Sequence, residues 1–428
     1  MRRLLAIFLL LAAGLCAQSI RWDPPGGTLA RGQIVQLNLV FENCEPDGSV
    51  ALPAVPGLEF GQPTGGMNGL NVTINGRSLS VNGYTLAYPV RANTGTQVDI
   101  PAFDVTTKQG RLRVAAVHYT VGAATVGGNG AGVPLDSVAQ SRFTLPRTVW
   151  AGEVFSVGYS LDVLERYNYQ PGNNPEWKSA PLLVEDDWSK ITAPAQAHVT
   201  RGGESYIATS YQTRAYVKTP GEFTLNPATQ IAILQTGVQA FGLFSQRVVE
   251  RYAITSAPAS LVVKPLPAPA PAGFAGAVGD LRLAAKVVPV AAAVGEPVTW
   301  TLTLTGTGNW PDITALPRRS VSTDFRVISP QAKHTAPEDK IFDATLTEDI
   351  VLIPTKPGTY TLGPVKLACF DPKTGQYKNL MTEIFTVTVS GAASAGGGAQ
   401  ESGNAAAAPS APSTPPASPS APAGIPRG

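Results

Sequence analysis

The residues able to carry chemistry in this chain are few and scattered. Its three histidines, His118, His198 and His334, have no partner at a metal-ligand spacing. Asp343, Glu348 and Asp349 stand close together, but the alternating oxygen donors of a calcium loop are missing, so solvated loop or edge positions explain them. Gly306-Thr-Gly308 lacks the third glycine of a dinucleotide turn, and no Gly-Lys pair offers a phosphate loop. Ser78 and Ser80 near Gly76 belong to hairpin chemistry, and no Gly-x-Ser-x-Gly elbow occurs. No cofactor, metal or nucleophile site is expected. A buried carboxylate pair leaves no short motif, which keeps a hydrolase open as a third reading.

What remains is surface. Between Glu165 and Lys190 the chain gathers Tyr167, Tyr169, Trp177 and Trp188 around the acidic run Glu185-Asp186-Asp187. Aromatics beside acids suit a partner-binding interface, with the carboxylates steering a basic partner surface. The competing reading makes Trp177 and Trp188 caps on a core. Trp300, alternating with threonines, is expected inside.

Composition narrows the class. Charged residues are 14% of the 428, against roughly 25% in an average soluble domain, and the formal net charge is +2. That balance gives no footprint for nucleic acid. The 43 glycines and 38 prolines point to turns and linkers, not long helices. Arg2-Arg3, an apolar run from Leu4 to Ala13 and the small-residue zone ending at Ala17 read as a signal peptide over 1–17. Lipidation of Cys16 is the alternative, disfavoured by the bulky Leu15 before it. Cys44 and Cys369 lie too far apart in the chain's organisation to form a disulfide scaffold.

That organisation is a repeat. Gly32, Gly152 and Gly295 each introduce a run of alternating apolar and polar residues, the mark of a strand with one buried face. Gly95, Gly221 and Gly358 each open a short strand that closes on Pro101, Pro227 and Pro364. The paired glycines lie 63, 69 and 63 residues apart. The expected fold is all-β: three tandem immunoglobulin-like β-sandwich modules at 18–122, 133–264 (with an insertion at 165–190) and 272–390. A Gly-rich flexible joint at 123–132 and a stiffer Pro-rich spacer at 265–271 separate them. Asn75-Gly76 and Asn82-Gly83 offer two-residue hairpin turns in module 1. The Ala/Gly/Ser/Pro tail over 391–428 is expected to be disordered.

Several of these residues resemble the BatD aerotolerance family. Phe274-Ala-Gly-Ala-Val-Gly279, Val294-Gly-Glu-Pro-Val298 and Gly306-Thr-Gly-Asn309 carry the likeness, followed by Ile353-Pro354, Gly358, Cys369-Phe-Asp-Pro372 and Tyr377. In module 1, Asn75-Gly76, Tyr84, Tyr88, Gly95 and Ile100-Pro101 continue it. The resemblance implies a β-rich, non-enzymatic periplasmic protein linked to oxygen tolerance and envelope stress. Its implied partners are von Willebrand factor A-domain Bat membrane proteins and, indirectly, a MoxR-type AAA+ ATPase. Members usually carry a transmembrane helix after the last module, and none follows here, so a periplasmic adaptor is expected. The alternatives are an envelope protein anchored by an uncleaved or lipidated N-terminus, and in function an adhesin-like or carbohydrate-binding sandwich protein.

Overall fold

The structure, a computed structural model, describes residues 18–74, 77–127, 132–241 and 244–391. The expected signal peptide at 1–17 and nearly all of the stretch over 391–428 lie outside the described residues. About 61% of the chain is strand and 4% helix, so the fold is all-β.

Alternation in sequence becomes alternation in burial. In the strand Gln33–Glu42, Leu37, Leu39 and Phe41 point inward. In Phe155–Leu164 the same places go to Val157, Tyr159, Leu161 and Val163. In Val298–Gly308 they go to Val298, Trp300, Leu302 and Leu304, with Thr299, Thr301 and Thr303 outward. Buried apolar side chains collect in three clusters, from Ile20 to Val121, from Val126 to Val263 and from Ala277 to Val389.

A small three-stranded sheet recurs beside each cluster. Gly26–Ala30 runs parallel to Val117–Gly122, which pairs antiparallel with Gln97–Ile100. Thr148–Trp150, Ala259–Lys264 and Gly221–Leu225 repeat the arrangement, as do Ala291–Ala293, Phe385–Ser390 and Gly358–Leu362. The turn after the first strand is fixed the same way each time. Arg31, Ala151 and Val294 donate their N–H to Gly122, Lys264 and Ser390 at 3.0, 2.9 and 3.0 Å. The glycine that follows, Gly32, Gly152 or Gly295, has φ of +75, +82 or +90° and donates to Ala92, Val217 or Pro354. Those dihedrals disfavour a side chain, which is why the sequence keeps glycine there.

Two local expectations change. Asn82-Gly83 is not a turn: both lie within the long strand Arg77–Ala92, with Gly83 opposite Asn68 and Glu42. Asn75-Gly76 falls outside the described residues, between Ile74 and Arg77, which pair with each other. The Gly-rich stretch is also partly structured. Thr125–Val126 pairs with Val133–Pro134, and Val126 is buried in the second cluster.

The first two repeats share one sheet. Its order runs from Gln170–Pro171 through Thr229–Phe241, Phe244–Thr255, Gln33–Glu42 and Arg77–Ala92 to Leu58–Phe60. Arg251 opposite Ile34 and Tyr252 opposite Gln33 make the junction, and the Ala253 N–H donates to the Gly32 carbonyl at 2.8 Å.

Candidate interaction site

The insertion at 165–190 folds as a cover on the second cluster. It opens with a single 3-10 turn, Glu165–Tyr167, closed by Asn168 in the left-handed region at φ 42°. It ends with another, Trp188–Lys190, whose first N–H groups are capped by the Asp187 carboxylate accepting from Ser189 at 3.0 Å. Between these turns Trp177 stacks on Trp188, with centroids 4.5 Å apart and planes at 23°. Phe143 lies against both rings at 5.4 and 6.0 Å.

Burial divides the four aromatics expected to meet a partner. Tyr169 and Trp188 are only 6% and 2% exposed and belong to the cluster itself. Hidden rings of this size hold the fold and present no area to a partner, which corrects their placement at a surface. Burial also pushes the Tyr169 hydroxyl up to about 12. Tyr167 and Trp177 are half-buried, and the Trp177 Nε1–H donates to the Asn226 carbonyl at 3.1 Å.

The acidic run does two different things. Glu185 is 1% exposed and accepts from Arg214 Nε and Nη2 at 2.8 and 2.5 Å. It also accepts from Lys340 Nζ at 3.3 Å and the Ile341 N–H at 3.2 Å, both from the third repeat. Burial alone would raise the Glu185 carboxyl, but the Arg214 hydrogen bond and charge outweigh it and hold it below its ordinary value. Arg214 reaches Asp343 as well, and that bond lowers the Asp343 carboxyl. Nearby, Tyr216 meets Phe342 edge-on at 5.7 Å, Trp150 meets Phe370 at 5.2 Å, and Lys218 pairs with Asp312 at 2.7 Å. Tyr216, Val278, Phe342 and Phe370 are buried yet sit in none of the three clusters, because they are the filling of this junction.

Asp186 and Asp187 face outward instead. They line two adjoining cavities. One, of about 230 Å³, has Pro175, Trp177, Ser179, Val184 and Trp188 as its remaining walls. The other, of about 510 Å³, opens between the insertion and Asp339-Lys340-Ile341.

The dispersed titratable residues are absorbed locally. His118 Nδ1 lies 2.5 Å from Asp99, His198 lies 3.5 Å from Glu165, and the His334 ring rests edge-on against Trp310. Glu348 pairs with Arg319, and Asp349 accepts from the Thr301 hydroxyl at 2.5 Å. Among the described residues no group of three or more His, Cys, Asp or Glu is placed to hold a metal. Arg214, Lys340 and Phe342 are the functional residues that sequence reasoning missed. Each is a lone residue on a strand or loop, and only the fold brings them to Glu185.

Residues 285–389, most of the third repeat, match the family model described as BatD DUF11 like domain. Those residues are similar to the BatD domain. The match supports membership of the BatD family. No curated protein matches the chain. The BatD domain is not a known enzyme family, and the family is envelope-associated. Among the described residues no helix is long and apolar enough to cross a membrane.

Proposed function

We propose that this protein is a non-enzymatic adaptor of a Bat-type envelope complex, placed in the periplasm by its signal peptide. In this reading it is built of three sandwich modules and contributes to oxygen tolerance or resistance to envelope stress. Its direct partners are von Willebrand factor A-domain membrane proteins, with a MoxR-type ATPase acting through them. The observation that carries the reading is the BatD domain held in fixed relation to the preceding repeats. A charged and aromatic junction fastens it to the second repeat, and a shared sheet fastens the second to the first. An adaptor must keep its contact surfaces at a set spacing, and such joints supply that where linkers of this composition would not.

The test is direct binding of the purified mature chain to a purified A-domain partner encoded beside it, followed by calorimetry. Saturable one-to-one binding supports the adaptor. Absence of binding, together with retention on glycan arrays, would replace it with the carbohydrate-binding reading. N-terminal sequencing of envelope fractions checks the compartment: a chain beginning near Gln18 is expected, and intact Met1 overturns it.

A further inference from the structure

The sheet shared by the first two repeats sends out two ribbons that no further strand pairs with among the described residues. Arg77–Ala92 meets Gln33–Glu42 only over 83–91, so its residues 77–82 pair with 69–74 alone. Phe244–Thr255 meets the same strand only at Arg251 and Tyr252, and its residues 244–249 pair with 235–241 alone. Both strands run antiparallel to Gln33–Glu42 and are therefore parallel to each other. Each begins at the far end of its ribbon, so the two ribbons project to the same side of the sheet. A twist of about 20–25° per strand splays them by roughly 45°. Two legs set apart in this way can meet one plane.

Their chemistry narrows what that plane is. No Asp or Glu occurs between Glu59 and Asp99, or between Glu222 and Glu250. The projecting parts carry one charge each, Arg77 and Arg247. In the first ribbon the register sets Leu70 opposite Val81 and Val72 opposite Leu79, so four apolar residues share one face. In the second, Val238 and Val249 are 61% and 55% exposed, and Val248 is exposed beside them. Residues 75–76 and 242–243 lie outside the described residues and form no part of the site. Apolar residues with a few cations suit the boundary between lipid headgroups and acyl chains, where phosphates attract arginine and repel carboxylates. A protein partner sets no such rule for both ribbons at once.

We propose that the projecting parts of these two ribbons dock on the surface of an anionic lipid bilayer. The apolar positions lie at the headgroup boundary, and Arg77 and Arg247 meet the phosphates. This goes beyond the adaptor reading and does not depend on it, because the contact is with lipid and needs no A-domain partner.

The test is flotation of the full mature chain with vesicles of phosphatidylethanolamine and phosphatidylglycerol. Vesicles of phosphatidylcholine serve as the comparison. Saturable flotation with the anionic vesicles is expected, weakened by salt and much weaker with phosphatidylcholine. Val238→Asp with Val249→Asp should weaken binding tenfold or more. Both positions are open to solvent, so the melting curve should not move. Leu70→Asp with Leu79→Asp should weaken binding in the same way through the first ribbon. Arg77→Gln with Arg247→Gln should weaken it about fivefold or more and remove most of the salt dependence. Equal binding to the two kinds of vesicle would overturn the anionic assignment. No flotation, or unchanged flotation after either pair of Asp substitutions, would overturn the site. Self-association that Val238→Asp with Val249→Asp abolishes, without flotation, would give the ribbons to a second copy instead.

Discussion

Arg214 Nη2 in the second repeat donates to Asp343 Oδ2 in the third at 2.6 Å, while the same nitrogen reaches the enclosed Glu185 at 2.5 Å. One guanidinium thus ties a strand, an insertion and the following repeat. Its planar fork presents five N–H donors in fixed directions, so it holds both carboxylates in a set geometry.

Arg214→Met is expected to leave Glu185 enclosed with only Lys340 as a counter-charge. Removing one partner of a buried pair typically costs about 3–5 kcal/mol, so a loss of about 3 kcal/mol is expected in urea melts. Small-angle scattering should also show a broader distribution of particle lengths. A loss under about 1 kcal/mol, as for a surface pair, would show the junction does not depend on Arg214.

Acid should loosen the same junction. Glu185 and Asp343 both have carboxyl groups held below their ordinary values in the folded chain. Their contribution is therefore complete above the unfolded values of about 4 and is lost as pH falls through the folded ones. Melting temperature followed from pH 7 downward should stay level and then drop below about pH 4, and Arg214→Met should flatten that drop. An equally steep acid fall in the variant would place the sensitivity elsewhere.

Trp300 and Trp188 should behave alike despite their different sequence settings. Both are almost fully buried, and emptying such a site costs roughly 3–5 kcal/mol. Arg319 adds to the loss at Trp300, since it lies 5.6 Å from the ring that would be removed. Trp177→Ala should cost clearly less. Equal losses for Trp177 and Trp188 would mean the insertion folds as an indivisible part of the core.

Gly306→Ala is expected to be among the most damaging small changes. Its φ is +135°, and a methyl group would collide with the carbonyl oxygen of Asp280 on the adjacent strand. Only backbone movement relieves that, so the loss should exceed about 1 kcal/mol and lower the melting temperature by several degrees. An unchanged melt would show that the two strands can separate there without consequence.

Strand positions were open to reading because one face of each strand is buried, and burial writes a period of two into residues such as Val298, Trp300, Leu302 and Leu304. The glycine frame was readable because a positive φ admits few other residues. The candidate site was readable only in outline. Tyr167, Tyr169, Trp177 and Trp188 announce that the insertion matters, but a ring in sequence carries no sign of which way it faces. Glu185 and Asp186 are neighbours with the same chemistry. One is sealed by Arg214 and Lys340 and the other lines a cavity, a difference fixed by residues up to 156 positions away. Asn82-Gly83 misled for a related reason: pairing with Asn68 and Glu42 overrides a local turn preference.

The recurring three-stranded sheet sets a schedule for the chain's biosynthesis. In the first repeat the strand around Thr28 is held by the strand around Thr120, 92 positions later. Its neighbour, Gln97–Ile100, waits for the same strand. No repeat can therefore close as it emerges; each stays open until its final segment is made, and contacts of such long range form slowly. The last strand of each repeat, Val117–Gly122, Ala259–Lys264 or Phe385–Ser390, is a latch. Clipping Phe385–Ser390 would release Ala291–Ala293 and Gly358–Leu362 together, so a single cut there would undo the small sheet of the third repeat.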